Sequence, residues 1–355
     1  MAAEIELKLS LPRDPANALA RHPLIERHQQ AAPRRQALYN RYFDTPDQDL
    51  NHHAIALRIR RQGQTYIQTL KTRGSSQGGL HQRQEWEWPL PSDQLDLKLL
   101  PAEAFPATIN TALLAAAFTT DFQRTSWILN YAAAGKQALI ELVLDDGWVS
   151  NGSQRDPIYE VELELKQGDA GTLISFARAL AATLPLRICR ISKAERGYRL
   201  AAPERARQLP TVPTPATDSS IEQAFYLLLE ARLERLQSAI EGYEFLADDS
   251  MLPALAEELS QLLTLLDCHA DAATAAELVS PLADLERELR RLLAPLLLNR
   301  YQGAAIRERQ QAKLGAELES WLNSQALGQQ LLALSDLLHR RPWNQPVEPF
   351  FDPQP

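Results

Sequence analysis

Cysteine is nearly missing from this 355-residue chain. Cys189 and Cys268 stand far apart, which excludes a disulfide framework and the close cysteine spacings of a zinc site. No run of about 18 apolar residues occurs, so a membrane span is not expected. The opening residues lack the basic-then-apolar order of a secretory signal, and the expected location is the cytoplasm. Positive charge is scarce in the second half: from Pro215 onward, 22 acidic residues face 11 basic ones. Such a balance repels phosphate backbones and argues against general nucleic-acid binding. No sequence repeat stands out.

What is present divides in two. Residues 1–202 read mostly as strands. Alternation marks Ala3–Leu11, Ala54–Arg61 and Gln64–Thr72 (paired across Gln62-Gly63), Gln82–Leu90, Gln123–Tyr131, Gln137–Asp145, Trp148–Gln154 and Ile158–Lys166. Helical pattern interrupts them at Pro15–Arg27, Asn110–Ala117 and Asp169–Thr183, the last followed by Pro185. Residues 203–217 are proline-rich and aperiodic, as a linker is. From 218 to 341 apolar residues recur at helical spacing, beginning with Ala224, Leu227, Leu228 and Ala231. The segments Ser219–Tyr243, Leu252–Leu266, Ala272–Leu298 and Ile306–Leu338, with breaks near Asn323 and Gly328, predict an antiparallel helical bundle. Residues 342–355 read as an extended tail. The fold class is therefore α+β.

The strands carry the information. Side chains alternate across a strand, so Glu4, Glu6 and Lys8 share one face while Ile5, Leu7 and Leu9 share the other. The same parity joins Arg58 with Arg60, Thr69 with Lys71, Arg83 with Glu85 and Glu87, Glu141 with Asp145, and Glu160 with Glu162 and Glu164. One such strand is an ordinary half-buried strand. Charge of both signs on nearly every strand is better explained by a sheet closed on itself, charges inward, apolar face outward under helices. About eight strands suffice for a barrel that holds one small ligand. Its interior charges are costly to desolvate unless they compensate each other, and that cost points to function.

Residue types then suggest chemistry. Converging Arg and Lys suit a polyanion, and the Arg fork matches phosphate oxygens. A carboxylate cluster among them suits a hard divalent cation, Mg²⁺ or Mn²⁺, which binds through a few carboxylates and substrate phosphates. The residues alone thus indicate metal-dependent work on a linear polyphosphate, a reaction governed by positioning and charge stabilisation.

The order Glu4-x-Glu6-x-Lys8, Tyr42-Phe-Asp-Thr-Pro46, Leu57-Arg-Ile-Arg60, Thr69-Leu-Lys71, Arg83-x-Glu85, Glu141-x-x-x-Asp145, Glu160-x-Glu162-x-Glu164 and Ser192-Lys193 resembles the CYTH or triphosphate tunnel metalloenzyme superfamily, over roughly residues 1–200. The resemblance implies an eight-stranded antiparallel tunnel. It implies Glu4, Glu6, Glu162 and Glu164 as principal metal carboxylates, with Glu85, Glu87 and Asp145 completing the site directly or through water. It implies Lys8, Arg58, Arg60, Lys71, Arg83, Arg124 and Lys193 as phosphate ligands. Glu4, Glu6 and Lys8 would be catalytic, Lys8 by orienting or deprotonating the attacking water. Glu160 is left open, a place at the tunnel mouth being one reading, and Arg41 and Lys136 are read as surface residues. Tyr42, Phe43, Asp44 and Thr45 are read as architectural, Phe43 for packing and Asp44 for capping a turn. Trp86, Trp88, Trp127 and Trp148 are read as core.

A helical half behind such a tunnel resembles the bacterial inorganic triphosphatases, in which CYTH is joined to a CHAD or CHAD-like domain. Here that half departs from the CHAD pattern: it is acidic and holds only His269 and His339. The small basic groups Arg287, Arg290, Arg291 and Arg307, Arg309 are expected to pair with nearby Glu on their own helices. Packing, homodimerisation or a lid role is expected of this half. The first reading is hydrolysis of inorganic triphosphate, or another linear triphosphate, to diphosphate and phosphate. The alternatives are a nucleoside or thiamine triphosphatase, a class IV-type adenylate cyclase, and a polyphosphate-binding module without turnover.

Overall fold

The computed structural model describes residues 2–13, 19–269, 274–296 and 304–340. The expected tail, the start of the helix expected from Pro15, and both ends of the segment expected at Ala272–Leu298 lie outside these residues. Strands come first: β1 (Ala2–Ser10), β2 (Arg34–Asp44), β3 (Ala56–Gln62), β4 (Thr65–Lys71), β5 (Ser75–Gln77), β6 (Leu80–Leu90), β7 (Ala115–Ala133), β8 (Lys136–Asn151), β9 (Gln154–Gly168) and the two-residue β10 (Arg187–Ile188). Eight of them close a ring in the order β1-β9-β8-β7-β2-β3-β4-β6, and β6 returns to β1 through the register Glu4↔Arg83. Every neighbouring pair in the ring is antiparallel.

The barrel is the one expected, but two of its members differ. β2 lies between β7 and β3 where the sequence pattern showed no strand. The segments read as two strands at 137–145 and 148–154 are joined in the single strand β8 as far as Asn151, and Gln154 already opens β9. Gly147 sits inside the ladder opposite Phe122, and a Cβ there would lie 2.1 Å from the Asp121 carbonyl oxygen. That glycine permits a close backbone approach and does not mark a turn. The helix expected at Asn110–Ala117 is a 3-10 turn at Thr111–Leu113, after which β7 begins.

Around the barrel run α1 (Pro23–His28), α2 (Asp49–His52), α3 (Gly171–Ala181) and α4 (Lys193–Ala201). The apolar outer face, with Leu7, Leu9, Leu129, Ile140, Leu142 and Leu163, packs on Leu173, Ile174, Phe176, Ala177 and Leu180 of α3. Phe176 is fully buried, a contribution of about 1.5–3 kcal/mol from area alone. Asp44 does the capping expected of it: it accepts from the N–H groups of Thr45, Leu50 and Asn51 and from the Tyr198 hydroxyl. Trp127 is buried, and Trp86 and Trp88 pack half-buried on a small outer cluster. Trp148 is not core. It lies 41% exposed beneath the Arg13 guanidinium, which is 5.7 Å from its ring.

Helices α5 (Ile221–Leu246), α6 (Leu252–His269), α7 (Ser280–Leu293), α8 (Ala304–Leu322) and α9 (Gln325–Arg340) form a separate leucine-rich core. The break expected near Asn323 separates α8 from α9. Gly328 is no break. It lies within α9, where a Cβ would stand 2.0 Å from the Leu186 carbonyl oxygen, so its bareness lets α9 press against the barrel. Arg178 of α3 reaches Asp336 of α9 and Glu277, tying the two halves together.

Candidate active site

Inner-facing residues change character along the barrel. At one end stand Phe118, Leu38, Tyr42, Val149 and Ile158, packed under Tyr198 and Leu200 of α4. Tyr42 stacks on Phe118 at 4.7 Å. Helix α4 thus stoppers that end. Above it lies a cavity of about 350 Å³, with Ser192, Lys193 and Ala194 of α4 at its floor.

Thirteen of the fourteen residues expected in the site line this cavity: Glu4, Glu6, Lys8, Arg58, Arg60, Lys71, Arg83, Glu85, Glu87, Arg124, Glu162, Glu164 and Lys193. Asp145, the fourteenth, is fully buried just behind Arg124 and Lys193. Glu160 also lies behind the lining, fully buried against the Lys193 ammonium. Arg41 meets Asp93 and Lys136 meets Asp169, both outside the cavity. Tyr42, read as architectural, lines it too, and sequence reading missed Arg34, Gln36, Phe122 and Lys166, which also line it. The parity of Phe122 with Arg124 and of Lys166 with Glu164 was the available signal.

Opposite charges interlock. Lys71 bridges Glu4 (2.7 Å) and Glu85 (3.1 Å), and Arg83 holds Glu6. Arg58 lies 3.8 Å from Glu85 and donates to the Tyr42 hydroxyl at 3.3 Å. Arg60 faces Glu87, and Lys8 faces Glu162 at 3.4 Å. Lys166 bridges Glu141 and Glu164 near the open end. Deepest of all, Lys193 contacts Asp145, Glu160 and Glu162 together.

Compensation is uneven, and the pKa shifts show where. Burial, then repulsion from Glu6 and Glu85, lifts Glu4 to about 7 against the pull of Lys71. Burial would lift Glu6 as well, but Lys8 and Arg83 outweigh it and hold the group at about 2. Glu162 is held well below the usual carboxylate range, Lys193, Lys8 and Arg124 overcoming its burial. Arg60 falls to about 10 because it is buried and crowded by Arg58 and Arg124. Burial would depress Lys8, yet Glu6, Glu162 and Glu160 raise it above an ordinary lysine. One side of the cavity therefore has spare negative charge at Glu4, and another has spare positive charge at Arg60. A cation and an anion bound together would relieve both.

The donor set fits a hard divalent cation. Glu4, Glu6, Glu85 and Glu162 are carboxylates turned into one small space, the oxygen chemistry such ions take. In the buried group Asp145, Glu160 and Glu162, one oxygen from each lies within 4.8 Å of the others, close enough to chelate, although Lys193 already supplies positive charge there.

A closed antiparallel barrel with inward acids and bases and a helical stopper defines the class. The CYTH domain model matches residues 2–198, and the chain belongs to that family. An inorganic triphosphatase of Haemophilus influenzae is 35% identical over 209 residues, 56% of this chain and 55% of that protein. The chain thus spans about half the length of this curated relative. A solved Hippeastrum protein, described as an adenylyl cyclase candidate revealing a dominant triphosphatase activity, is similar at 18% identity with a TM-score of 0.39, covering 54% of this chain and 93% of that one. A Bacillus halodurans adenylate cyclase candidate is similar at 19% identity with a TM-score of 0.31, covering 61% and 97%.

Proposed function

We propose that the protein is a metal-dependent inorganic triphosphatase, cleaving triphosphate to diphosphate and phosphate within the barrel. The observation that carries this reading is the single small cavity in which nine cationic side chains and seven carboxylates meet. At about 350 Å³ it is near the lower end of the ~300–1,000 Å³ usual for small-molecule sites, a size that favours a compact polyanion. The aromatic residues that line it among the described residues, Tyr42 and Phe122, lie at the stoppered end, not at the mouth where a nucleobase would rest. The identity to a named inorganic triphosphatase supports the same substrate.

Lys8, Arg58, Arg60, Lys71, Arg83, Arg124 and Lys193 would bind the phosphate oxygens, Arg60 with the most to gain from an anion. Glu4, Glu6, Glu162 and Glu164 would hold Mg²⁺ or Mn²⁺, with Glu85 and Glu87 beside them. Asp145 reads best as the anchor of Arg124 and Lys193. Bound metal would draw charge from the phosphoryl oxygens and make water a stronger nucleophile. Lys8, whose burial is outweighed by Glu6, Glu162 and Glu160, would serve as a positive charge that orients the phosphate. The barrel wall sets these charges around the bound chain in advance, which strengthens each of these contacts. No described helix is long and apolar enough to cross a membrane, and we place the reaction in the cytoplasm.

The test is phosphate release from inorganic triphosphate, ATP and thiamine triphosphate, each with Mg²⁺, Mn²⁺ or EDTA. Release that needs metal and is fastest from inorganic triphosphate supports the reading. Equal or faster ATP turnover assigns a nucleotide enzyme. No release from any of them overturns hydrolysis and directs attention to cyclic AMP formation or to binding alone.

A further inference from the structure

The floor of the cavity is held from outside the barrel. Residues 187–192 run beside β1: Leu9 pairs with Ile188, Ser10 pairs with Arg187, and the Cys189 N–H donates to the Lys8 carbonyl at 2.9 Å. The segment ends at Ser192, whose hydroxyl caps α4 by accepting from the Glu195 N–H at 3.0 Å. The next residue is Lys193.

The other side of this segment is gripped by the helical half. Nη2 of Arg187 donates to both carboxylate oxygens of Glu244 of α5 at 2.7 and 2.6 Å, and its Nη1 donates to the Leu322 carbonyl at 3.0 Å. The Arg190 side chain meets Glu234. Glu241 of α5, only 6% exposed, turns one carboxylate oxygen onto two successive backbone N–H groups, those of Arg190 and Ile191. Glu241 does not line the cavity and cannot touch its guest. It fixes instead the peptide planes two and three residues before Lys193. With only two soft dihedrals per residue, planes held at 190 and 191 and a cap at 192 leave the start of α4 little freedom.

We propose that Glu241 is a positioning residue: from the helical half, through the Arg190-Ile191 backbone, it sets where the Lys193 ammonium stands in the tunnel. The inference rests on the triphosphatase reading and adds a task for the helical half that packing alone would not give it. Small displacements of a charge that orients a substrate cost turnover or binding far out of proportion to the stability lost.

The test is a double-mutant cycle in the full chain, read by the KM and kcat of metal-dependent triphosphate hydrolysis and by calorimetric binding of inorganic triphosphate. Glu241→Ala is expected to raise KM about tenfold by freeing two buried N–H groups. Glu241→Gln keeps the accepting oxygen and restores KM to within about twofold of the wild type. Added to Lys193→Ala, Glu241→Ala changes KM by less than about twofold, because the group it positions is gone. If Glu241→Ala does not fold by circular dichroism, Glu241→Asp, which keeps the charge but shortens the reach, takes its place. Wild-type KM in Glu241→Ala or in its stand-in Glu241→Asp, or an undiminished effect in the Lys193→Ala background, overturns the inference while the triphosphatase reading stands. A wild-type protein that neither hydrolyses nor binds triphosphate overturns both.

Discussion

Arg124 holds Asp145 through two parallel hydrogen bonds of 2.7 Å, with the carboxylate fully buried and Lys193 on its other side. Burial alone would raise Asp145, but Lys193 and Arg124 hold it below the usual range. Asp145→Ala would leave Arg124 and Lys193 with only Glu162 and Glu160 to compensate them. The expected loss is about 3–5 kcal/mol of stability, measured by urea unfolding. Asp145→Asn, which keeps the shape, should raise the KM for triphosphate while leaving metal affinity within about threefold, since charge of the anchor and not of a metal ligand has been removed. A metal affinity that collapses in Asp145→Asn would return this residue to the metal site.

Glu4 should make stability depend on pH. Its folded pKa of about 7 lies above the ordinary 4.5, so the fold prefers the neutral acid. That contribution is complete below about 4.5 and is lost as pH rises through about 7. Without metal, Glu4→Gln should melt higher than the wild type near pH 8 and close to it near pH 4.5. Mn²⁺ should raise the wild-type melting temperature near pH 8, have little effect near pH 5, and do less for Glu4→Gln at either. Thermal melts at these pH values, with and without Mn²⁺, decide the matter.

Arg60 is buried among cations and faces Glu87 at only 3.6 Å. Arg60→Ala should lower kcat/KM for triphosphate by roughly 10–100-fold, mostly through KM, the scale of losing a hydrogen bond to a charged group. Stability should hold or rise, because a crowded cation has been removed. Steady-state kinetics beside thermal melts will show whether the two effects part in this way.

The stopper is tightly fitted. A Cβ at Gly197 of α4 would lie 2.2 Å from the Phe118 ring. Gly197→Ala should therefore cost about 1–3 kcal/mol in urea unfolding, as overpacking does, and should loosen the tunnel floor. An unchanged unfolding midpoint would show that Phe118 can move aside.

The parts of this architecture visible in the sequence were those with sharp contrast between faces. In β1, carboxylate and ammonium alternate with Ile5, Leu7 and Leu9, and β9 does the same with Val161, Leu163 and Leu165. Strand β2 was not visible because both of its faces carry aromatic and polar residues. Leu38, Asn40 and Tyr42 point into the barrel while Tyr39, Arg41 and Phe43 alternate with them. The period of two is present in the burial but not in the hydropathy. Gly147 and Gly328 read as breaks because close approach and chain reversal favour the same residue. The depth of Asp145 and Glu160 depended on which end of the barrel α4 would close. The grip of Glu241 on residues 190 and 191 joins positions some fifty residues apart and leaves no local mark.

A barrel stoppered at one end has a direction. With Phe118, Leu38 and Tyr198 filling the far side, whatever enters the cavity comes from the opposite end and leaves the same way. In the proposed reaction a linear chain of phosphates would be threaded by its tip, with its terminal group nearest Lys193. A chain too long for the cavity would be shortened from its end and never cut in its middle, and the released piece closer to the floor would have to wait for the outer piece to clear the path.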